Sequence, residues 1–242
     1  MNDLSDQIAV ITGASGGIGG AIAAAFARQR ATLCLLGRDI NKLKACAEIL
    51  RAFSPRVDPH PCDLTRDNQI ETVQSYVMKQ YGRIDVLVHC GGGIDHGKVA
   101  DAPLSVLDHL YETNVRGPMM LTQMLLPFLK KPRGQIVFIN SSAGLATRPG
   151  TGYFSATQHA FRALADSLRE EVNADAVRVL SVYPGRTATP RIQSLHAQEG
   201  RAYQPELLLQ PEDIASVVLN AITLPWTAEV MDIILRPMQK SY

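Results

Sequence analysis

The sequence predicts an α/β protein with a doubly wound parallel sheet and helices on both faces of that sheet. Short apolar runs alternate along the chain with longer helical stretches, the pattern of repeated β-α-β units with right-handed crossovers. Most runs are apolar throughout, which is typical of strands buried on both faces. No linker, low-complexity tract or internal repeat interrupts residues 1–242, so a single domain is predicted.

The first half of the chain contains four predicted strands separated by three predicted helices. The strands fall at residues 8–11, 33–36, 57–62 and 86–88. Residues 17–30 are rich in alanine and form the first predicted helix, and residues 67–81 form the third. Between them, Asp39 is a suitable N-cap for the second helix, in which apolar residues recur at helical spacing.

The second half continues the alternation until it meets an irregular stretch. The predicted strands are residues 136–139, 177–183 and 231–235, and the predicted helices are residues 105–129, 154–172 and 211–224. Residues 185–210 are predicted to be irregular because prolines and glycines recur there. Long loops in a compact domain often act as lids, so this stretch is expected to cover the substrate.

Composition excludes several classes of protein. The 24 Lys and Arg residues nearly balance the 23 Asp and Glu residues, which excludes an electrostatic nucleic-acid binder. With 46% apolar and 19% charged residues the chain is not disordered, and no apolar run reaches the roughly 20 residues of a membrane span.

Cysteine usage and the N-terminus bear on location. The four cysteines are scattered without a CxxC pair, so we expect reduced thiols and no metal site. Residues 1–6 are acidic and do not resemble a signal peptide, so a cytoplasmic location is expected.

A glycine-rich loop at residues 12–19, here called the nucleotide loop, follows the first strand and opens the first helix. Glycines are needed where the backbone turns with positive φ or approaches a ligand closely. The helix start presents free N–H groups and a positive dipole end to a pyrophosphate. The predicted contact residues are Gly13, Ser15, Gly17, Ile18 and Gly19. A flexible tight turn is the alternative interpretation.

The end of the second strand bears on the choice of cofactor. An NAD-binding fold usually places an acidic residue here to hold the ribose 2′-hydroxyl, but this chain has Gly37 followed by Arg38. A guanidinium suits a 2′-phosphate, so NADP(H) is predicted in preference to NAD(H). Alternatively, Arg38 lies on the surface and pairs with Asp39. Asp63, after the third strand, is placed to accept from the adenine amine or to serve as an ordinary turn residue.

Five segments, in order along the chain, resemble the short-chain dehydrogenase/reductases. They are residues 12–19, 62–65, 114–117, 140–144 and 183–185. The resemblance spans essentially the whole chain, which is therefore identified as a member of that family. It implies a seven-stranded sheet in the order 3-2-1-4-5-6-7, a nicotinamide cofactor, and a small-molecule carbonyl or alcohol as substrate.

The family's catalytic set is Asn, Ser, Tyr and Lys, with the last two spaced YxxxK. The resemblance places the asparagine at Asn114 and the serine at Ser141, but the tyrosine position is Phe154 and the lysine position is Gln158. The flanking sequence, Phe-Ser-Ala-Thr-Gln-His-Ala, supports this register. A register beginning at Tyr153 also lacks the lysine.

These replacements remove the expected proton source. Reduction of a carbonyl needs a hydride and a proton, and a phenol with a pKa of about 10 becomes a useful acid or base when a nearby ammonium lowers that pKa. Phe154 has no proton to give and Gln158 carries no charge, although its amide can still bond a ribose hydroxyl. Loss of a positioned acid typically reduces the rate about 10²- to 10⁴-fold. Rescue by Tyr153 would have to overcome a rotation of about 100° along the helix.

A second departure from the family follows the fourth strand. The usual Asn-Asn-Ala-Gly is replaced by residues 89–93, His-Cys-Gly-Gly-Gly, which places the local rigidity in doubt because bracing side-chain amides are missing. His89 is interpreted as structural, with a catalytic role as the alternative. Pro118 has no N–H to bond the carbonyl of Asn114, which the family uses to hold a water linked to the lysine; a purely structural helix break is the alternative.

The resemblance implies further cofactor contacts from the loops that follow other strands. These residues are Leu64, Gly91, Gln158, Pro184, Gly185, Thr187 and Thr189. In the segment that would hold the nicotinamide carboxamide, backbone amides are as suitable as the two threonine hydroxyls.

The family also implies packing between subunits. Apolar residues occupy more than one face of two helices: Leu121, Met124, Leu125, Phe128, Phe161, Leu164 and Leu168. Such an excess of apolar surface predicts a homodimer or homotetramer, with a deep intramolecular core as the alternative.

Three hypotheses about function remain open. The first is an NADP-dependent oxidoreductase with a weakened or rearranged active site. The second is a non-catalytic NADP(H)-binding sensor or partner subunit, favoured by the double loss at Phe154 and Gln158. The third is a structural oligomer that no longer binds cofactor, which the glycine-rich loop disfavours.

Overall fold

The computed structural model describes residues 4–239, and its centre is one seven-stranded parallel sheet. The strands are β1 (Ile8–Thr12), β2 (Thr32–Gly37), β3 (Val57–Pro61), β4 (Val86–His89), β5 (Gln135–Ile139), β6 (Arg178–Pro184) and β7 (Asp232–Leu235). Their order across the sheet is β3-β2-β1-β4-β5-β6-β7, which confirms the predicted order. Residues 1–3 and 240–242, at the two ends of the predicted single domain, lie outside the described residues.

Helices cover both faces of the sheet, as predicted. They are α1 (Gly17–Arg28), α2 (Ile40–Leu50), α3 (Asp67–Gln80), α4 (Leu104–Tyr111), α5 (Gly117–Lys130), α6 (Gly152–Val172), α7 (Pro190–Gln198) and α8 (Pro211–Ile222). Side chains of β1 alternate between two cores: Ala9 and Ile11 face the core shared with α1 and α8, and Val10 faces the core shared with α3, α5 and α6. None of the helices in the described part of the chain is long and apolar enough to cross a membrane.

The predicted cap of α2 is confirmed. The carboxylate of Asp39 accepts from the backbone N–H groups of Asn41 and Lys42, at 3.0 Å and 3.2 Å. These bonds satisfy donors that have no partner inside the helix.

The expectation of strands buried on both faces is wrong for the two edge strands. β3 has only its first residue buried and contains Pro59 and Pro61, and the side chain of Ile234 in β7 is 67% exposed. Each of these strands pairs with another strand on one side only, so its other edge is not covered by the sheet. Prolines are tolerated at such an edge because a missing N–H breaks no inner ladder.

The single helix predicted for residues 105–129 is divided in the structure. A π-helical segment, Glu112–Arg116, separates α4 from α5, and the N–H of Gly117 donates to the carbonyl of Glu112. Pro118 explains the change, because it has no N–H to form the α-helical bond to Asn114.

The predicted irregular stretch, residues 185–210, contains helix α7. Thr189 caps this helix by accepting from the N–H of Ile192 at 3.3 Å, and Pro190 occupies its first turn. The Thr-Pro pair is a helix-start signal that the prediction overlooked. A parallel bridge between Thr187 and Leu209 holds the two ends of the stretch together.

Candidate nucleotide and substrate site

The nucleotide loop has a shape that only glycine permits at two positions. Gly13 has φ +67°, and a Cβ atom there would lie 2.9 Å from the Cα atom of Gly91. A Cβ atom on Gly19 would lie 2.4 Å from the carbonyl oxygen of Gly13. The loop therefore packs closely on the end of β4 and on its own helix, as a phosphate-binding turn requires.

The start of α1 offers unpaired donors to a ligand. Its N-cap, Gly16, provides no side-chain cap, and the first turn holds no acidic residue. The first N–H groups of a helix have no partner within it, and the dipole makes this end positive. A diphosphate fits this position, beside the exposed Ser15 and the half-buried Gly17 and Ile18.

A threonine hydroxyl ties the nucleotide loop to β4. Thr12 Oγ1 accepts from the N–H groups of Cys90 and Gly91, both at 2.9 Å, and lies 3.4 Å from the carbonyl oxygen of Val88. Thr12 therefore braces the start of residues 89–93 from the neighbouring strand, where the family's usual side-chain amides are missing.

The side chain of Asn114 supplies a second brace. Its Oδ1 accepts from the N–H of Gly93 at 2.6 Å, and its Nδ2 donates to the carbonyl of Gly93 at 3.0 Å and to Thr157 Oγ1 at 3.1 Å. The amide thus links the loop after β4 to α6. In this structure Asn114 acts through its neighbours to position the site.

His89 has the surroundings of a core residue. It is 1% exposed, its Nε2 lies 2.7 Å from Thr122 Oγ1, and its ring stacks on Phe138 with centroids 5.1 Å apart. Burial lowers the pKa of His89 to about 3, so the ring is neutral near pH 7. These contacts agree with the structural interpretation.

Arg38 and Asp63 lie where the sequence placed them, at the ends of β2 and β3. Arg38 is exposed, and among residues 4–239 no ion pair joins it to Asp39, which instead lies 4.0 Å from Lys42. Asp63 Oδ1 accepts from Thr65 N and Thr65 Oγ1, at 3.0 Å and 2.9 Å. Partial burial would raise the pKa of Asp63, but these bonds and the nearby charges, including Arg38, hold it below its usual value.

The segment after β6 connects the nucleotide loop to a cavity. Gly185 donates to the carbonyl of Leu235 at 2.8 Å, and the hydroxyl of Thr187 donates to the carbonyl of Gly185 at 3.1 Å. A Cβ atom on Gly17 would lie 3.3 Å from Thr189 Cγ2, so Thr189 contacts the nucleotide loop. Each threonine hydroxyl is bonded to the backbone of a nearby residue: Thr187 Oγ1 donates to the carbonyl of Gly185, and Thr189 Oγ1 accepts from the N–H of Ile192.

The cavity of about 410 Å³ beside this segment, here called the Ser141 cavity, brings together Ser141, Phe154 and Gly185. Ser141 Oγ accepts from the N–H of Ala143 at 3.1 Å. Phe154 is 8% exposed and presents no hydrogen-bonding group. A carbonyl held here would meet a hydroxyl donor and an apolar ring.

One amide fixes the relative positions of the catalytic candidates. Asn140 Nδ2 donates to the backbone carbonyl of Gln158 at 3.0 Å, and Asn140 Oδ1 accepts from the N–H of Ser141 at 2.7 Å. The end of β5 is thereby fixed against α6. Gln158, one turn beyond Phe154, is buried.

Tyr153 lies away from this group. Its hydroxyl donates to the carbonyl of Ala102 at 3.1 Å, and it lines a separate cavity with Asp101 and Pro103. The structure does not bring Tyr153 together with Ser141, so its placement argues against the possible rescue. The physical reason is the rotation of about 100° between successive helical residues.

Sequence analysis missed a charged cluster at the Ser141 cavity. His96 Nδ1 lies 3.0 Å from Glu199 Oε1, and Arg186 Nη2 contacts both oxygens of Glu199, at 2.8 Å and 2.7 Å. Arg201 Nε lies 3.5 Å from Glu199 Oε2. Partial burial would raise the pKa of Glu199, but the hydrogen bond and charge of Arg186 lead the effects that lower it. His96 and Glu199 are 103 residues apart, and no local pattern connects them.

Two curated relatives match nearly the whole chain. An uncharacterized oxidoreductase of Staphylococcus epidermidis is 30% identical over 239 residues, covering 98% of this chain and 100% of that protein. Glycine betaine reductase ATRR of Emericella nidulans is 31% identical over 239 residues, covering 97% of this chain but 19% of that longer protein.

Solved structures share the fold over the full length. An alcohol dehydrogenase from the archaeon Thermococcus sibiricus, complexed with 5-hydroxy-NADP, has a TM-score of 0.87 at 28% identity and covers 98% of this chain and 99% of its own. A metagenomic short-chain oxidoreductase in complex with NADP has a TM-score of 0.84 at 29% identity, with coverage of 99% and 100%.

The sequence of residues 7–200 also matches the family model for short chain dehydrogenases. With the predicted strand order confirmed and the nucleotide loop at the β1–β4 switch point, the chain belongs to the short-chain dehydrogenase family.

Proposed function

We propose that this protein binds NADP(H) and acts as an oxidoreductase on a carbonyl/alcohol pair, with turnover that is weak because its proton-transfer centre is depleted. The observation that carries the proposal is the Ser141 cavity, where Phe154 stands beside Ser141 in place of a phenol. An intact nucleotide loop lies next to a centre with no tyrosine and no lysine at the family positions.

The nucleotide loop and the ends of β2 and β3 would hold the cofactor. A nicotinamide coenzyme supplies a hydride when bound. Free N–H groups at the start of α1 suit the diphosphate, Arg38 suits a 2′-phosphate, and the carboxylate of Asp63 suits an adenine amine. Related structures complexed with NADP support NADP(H) over NAD(H).

At the Ser141 cavity, the chain's own groups can orient a substrate but protonate it poorly. The Ser141 hydroxyl can donate to a carbonyl oxygen and polarise it. Phe154 has no proton for the developing alkoxide, and the neutral amide of Gln158 cannot lower any neighbouring pKa by charge. A loss of about 10²- to 10⁴-fold in rate is expected from the missing acid alone.

The second candidate is a non-catalytic NADP(H)-binding sensor or partner subunit. The specific observation in its favour is that both members of the YxxxK pair are replaced while the cradle at Gly13 and Gly19 keeps a shape closed to any other residue. Binding would then be the retained function.

The test compares the chain with Phe154→Tyr/Gln158→Lys. NADPH affinity is measured by fluorescence titration, followed by turnover of a panel of ketones. Tight NADPH binding with weak turnover that the double change increases supports the oxidoreductase. Tight binding with no turnover in either chain supports the sensor, and absence of NADPH binding contradicts both. Tyr153→Phe is the control, and turnover that this change abolishes would establish rescue.

Self-association and a cytoplasmic location are part of the proposal. The chain's own core already buries Leu121, Leu125, Phe128 and Phe161. Leu164 is 39% exposed, and Met124 and Leu168 are half-buried. We expect a homodimer or homotetramer in sedimentation equilibrium, and a monomer at all concentrations would contradict it.

A further inference from the structure

The Ser141 cavity concentrates basic side chains, although the net charge of the chain is only +1. Four arginines line it: Arg148, Arg186, Arg201 and Arg236. Within residues 4–239, no Asp or Glu side chain lines the cavity. The carboxylate of Glu199 contacts two of these arginines, Arg186 and Arg201. One carboxylate does not neutralise the guanidinium groups of both Arg186 and Arg201, so this side of the cavity presents a positive field to its contents.

Arg186 has an unused donor at this cavity. Its Nη2 is held by both oxygens of Glu199, but its Nη1 is buried and has no hydrogen-bond partner among the described residues. A buried charged donor without a partner is unfavourable, and native proteins rarely keep one unless a ligand or water completes it. One terminal nitrogen of the guanidinium, Nη2, is thus bonded to Glu199, and the other, Nη1, can donate to a ligand.

Glu199 positions the guanidinium group of Arg186. It accepts from Arg186 and also contacts His96 and Arg201, so the carboxylate is fixed from three sides. Because the Glu199 pKa is held below its usual value, the carboxylate stays ionised and keeps Arg186 in place at neutral pH. Arg186 is therefore preorganised before any ligand enters.

The rest of the lining is mostly apolar. Ile94, Leu145, Ile192 and Leu195 line the cavity together with the ring of Phe154. A volume of about 410 Å³ is within the range of small-molecule sites. The cavity thus combines space for a hydrocarbon chain with cationic groups that would attract one anionic end.

We propose that the Ser141 cavity takes a carbonyl or alcohol compound that carries a carboxylate, with the carboxylate accepting a hydrogen bond from Arg186 Nη1. A guanidinium presents its donors in a plane that matches a carboxylate. The inference rests on the proposed function for the identity of the reacting group, and it adds the class of substrate: an organic oxo acid or hydroxy acid with an apolar chain.

The experiment uses the full chain loaded with NADPH and three matched pairs of probes. The acids are 4-oxopentanoate, 5-oxohexanoate and 6-oxoheptanoate, and each is paired with its neutral primary amide. Affinities are measured by isothermal titration calorimetry at low, fixed salt. We expect at least one acid to bind about tenfold or more tightly than its amide, the effect of one hydrogen bond to a charged group.

Variants separate the role of Arg186 from general charge. Arg186→Gln should remove the preference for the acid, and Arg186→Lys should restore only part of it because lysine keeps the charge but loses the planar fork. Arg51→Gln, an exposed arginine that does not line the cavity, is the matched control and should keep the preference. NADPH binding by each variant is measured first and shows that it has folded.

Equal affinity for acids and amides, or no binding by any of the three acids, would overturn the inference while leaving the proposed function intact if NADPH still binds. An unchanged preference in both Arg186 variants would also overturn it. Failure of the native chain to bind NADPH would contradict the proposed function and this inference with it.

Discussion

The nucleotide loop and the Ser141 cavity are joined by residues 185–189, yet they depart from the family pattern to very different extents. In the loop, close packing of main-chain atoms makes the shape: Gly13 lies against Gly91, and Gly19 against Gly13. At the cavity, the proposed function depends on two side chains, Phe154 and Gln158, at the positions where the family resemblance implies tyrosine and lysine. Close packing of main-chain atoms constrains a site built from backbone, whereas two side-chain substitutions would be enough to remove a proton relay under the proposed function.

The largest expected effect is a gain in catalytic rate when the family's tyrosine and lysine are introduced at the Ser141 cavity and beside it. Phe154→Tyr/Gln158→Lys should raise kcat/KM for alcohol oxidation at pH 7 by about 10²- to 10⁴-fold. Phe154→Tyr alone should recover only part of this, because an unassisted phenol has a pKa of about 10. Steady-state rates of the single and double variants are compared from pH 7 to 10. The ratio of the two rates should fall as the pH rises, because the unassisted phenol then ionises without help from an ammonium. Equal rates for the single and double variants at pH 7 would contradict the role assigned to the ammonium.

A change in the backbone cradle should have the next largest effect. Gly19→Ala places a Cβ atom 2.4 Å from the carbonyl oxygen of Gly13, so we expect NADPH affinity to fall about 10- to 100-fold. Gly20→Ala is the matched control, since its Cβ atom would lie 3.6 Å from the carbonyl oxygen of Ala14, an ordinary contact. Fluorescence titration with NADPH measures both. Similar losses in the two variants would show that the helix start, not the tight contact, is what matters.

A smaller change tests the one side chain on which the cofactor preference depends. Arg38→Ala should lower the affinity for NADPH relative to NADH by about tenfold, because a guanidinium contact to the 2′-phosphate is lost. Lys44→Ala, an exposed cation on α2, is the control for nonspecific charge. Competition titrations give the ratio. An unchanged ratio in Arg38→Ala would refute the 2′-phosphate assignment.

The smallest expected effect concerns stability near the nucleotide end. The pKa of His89 is about 3 in the folded chain, against about 6.5 for an exposed histidine. The unfolded chain therefore gains a proton first as pH falls through about 6.5, and folding stability declines from there toward pH 3, by on the order of 1 kcal/mol per pH unit.

Urea unfolding of the chain and of His89→Asn at pH 7, 6 and 5 checks this slope. The variant should lose the His89 contribution, so its stability should depend less on pH. Parallel curves would mean that His89 does not titrate between the two states.

Local patterns predict most strands and the position of the nucleotide loop, because apolar runs and glycine spacing are themselves local, whereas the order of the strands comes from the family resemblance. They did not predict the exposure of β3 and β7, since sheet edges depend on which strands pair. The missing N–H of Pro118 predicts a break in the long helix, but the sequence does not show that the chain continues through a π-helical segment, Glu112–Arg116. The start of α7 could have been predicted from the sequence, because Thr189 followed by Pro190 is typical of a helix N-terminus.

The same division applies to the site. Ser141, Phe154 and Gln158 follow from the spacing of residues within one stretch of sequence, and Ser141 and Phe154 line the same cavity in the structure. The contact of His96 with Glu199 joins residues far apart in the chain, and the unpartnered nitrogen of Arg186 exists only in three dimensions. Long-range charge clusters of this kind have no periodicity to detect.

The π-helical segment Glu112–Arg116 changes the angular phase of the helix that runs through it. A turn with one residue more than an α-helical turn rotates everything downstream by about 100° around the axis. α4 can therefore face α6 while α5 faces α3, with nearly continuous helix between them. Deleting a single residue from this segment would remove that extra rotation and turn the apolar face of α5 away from α3. The rotational register of α5, rather than the length of the helix, therefore determines its packing.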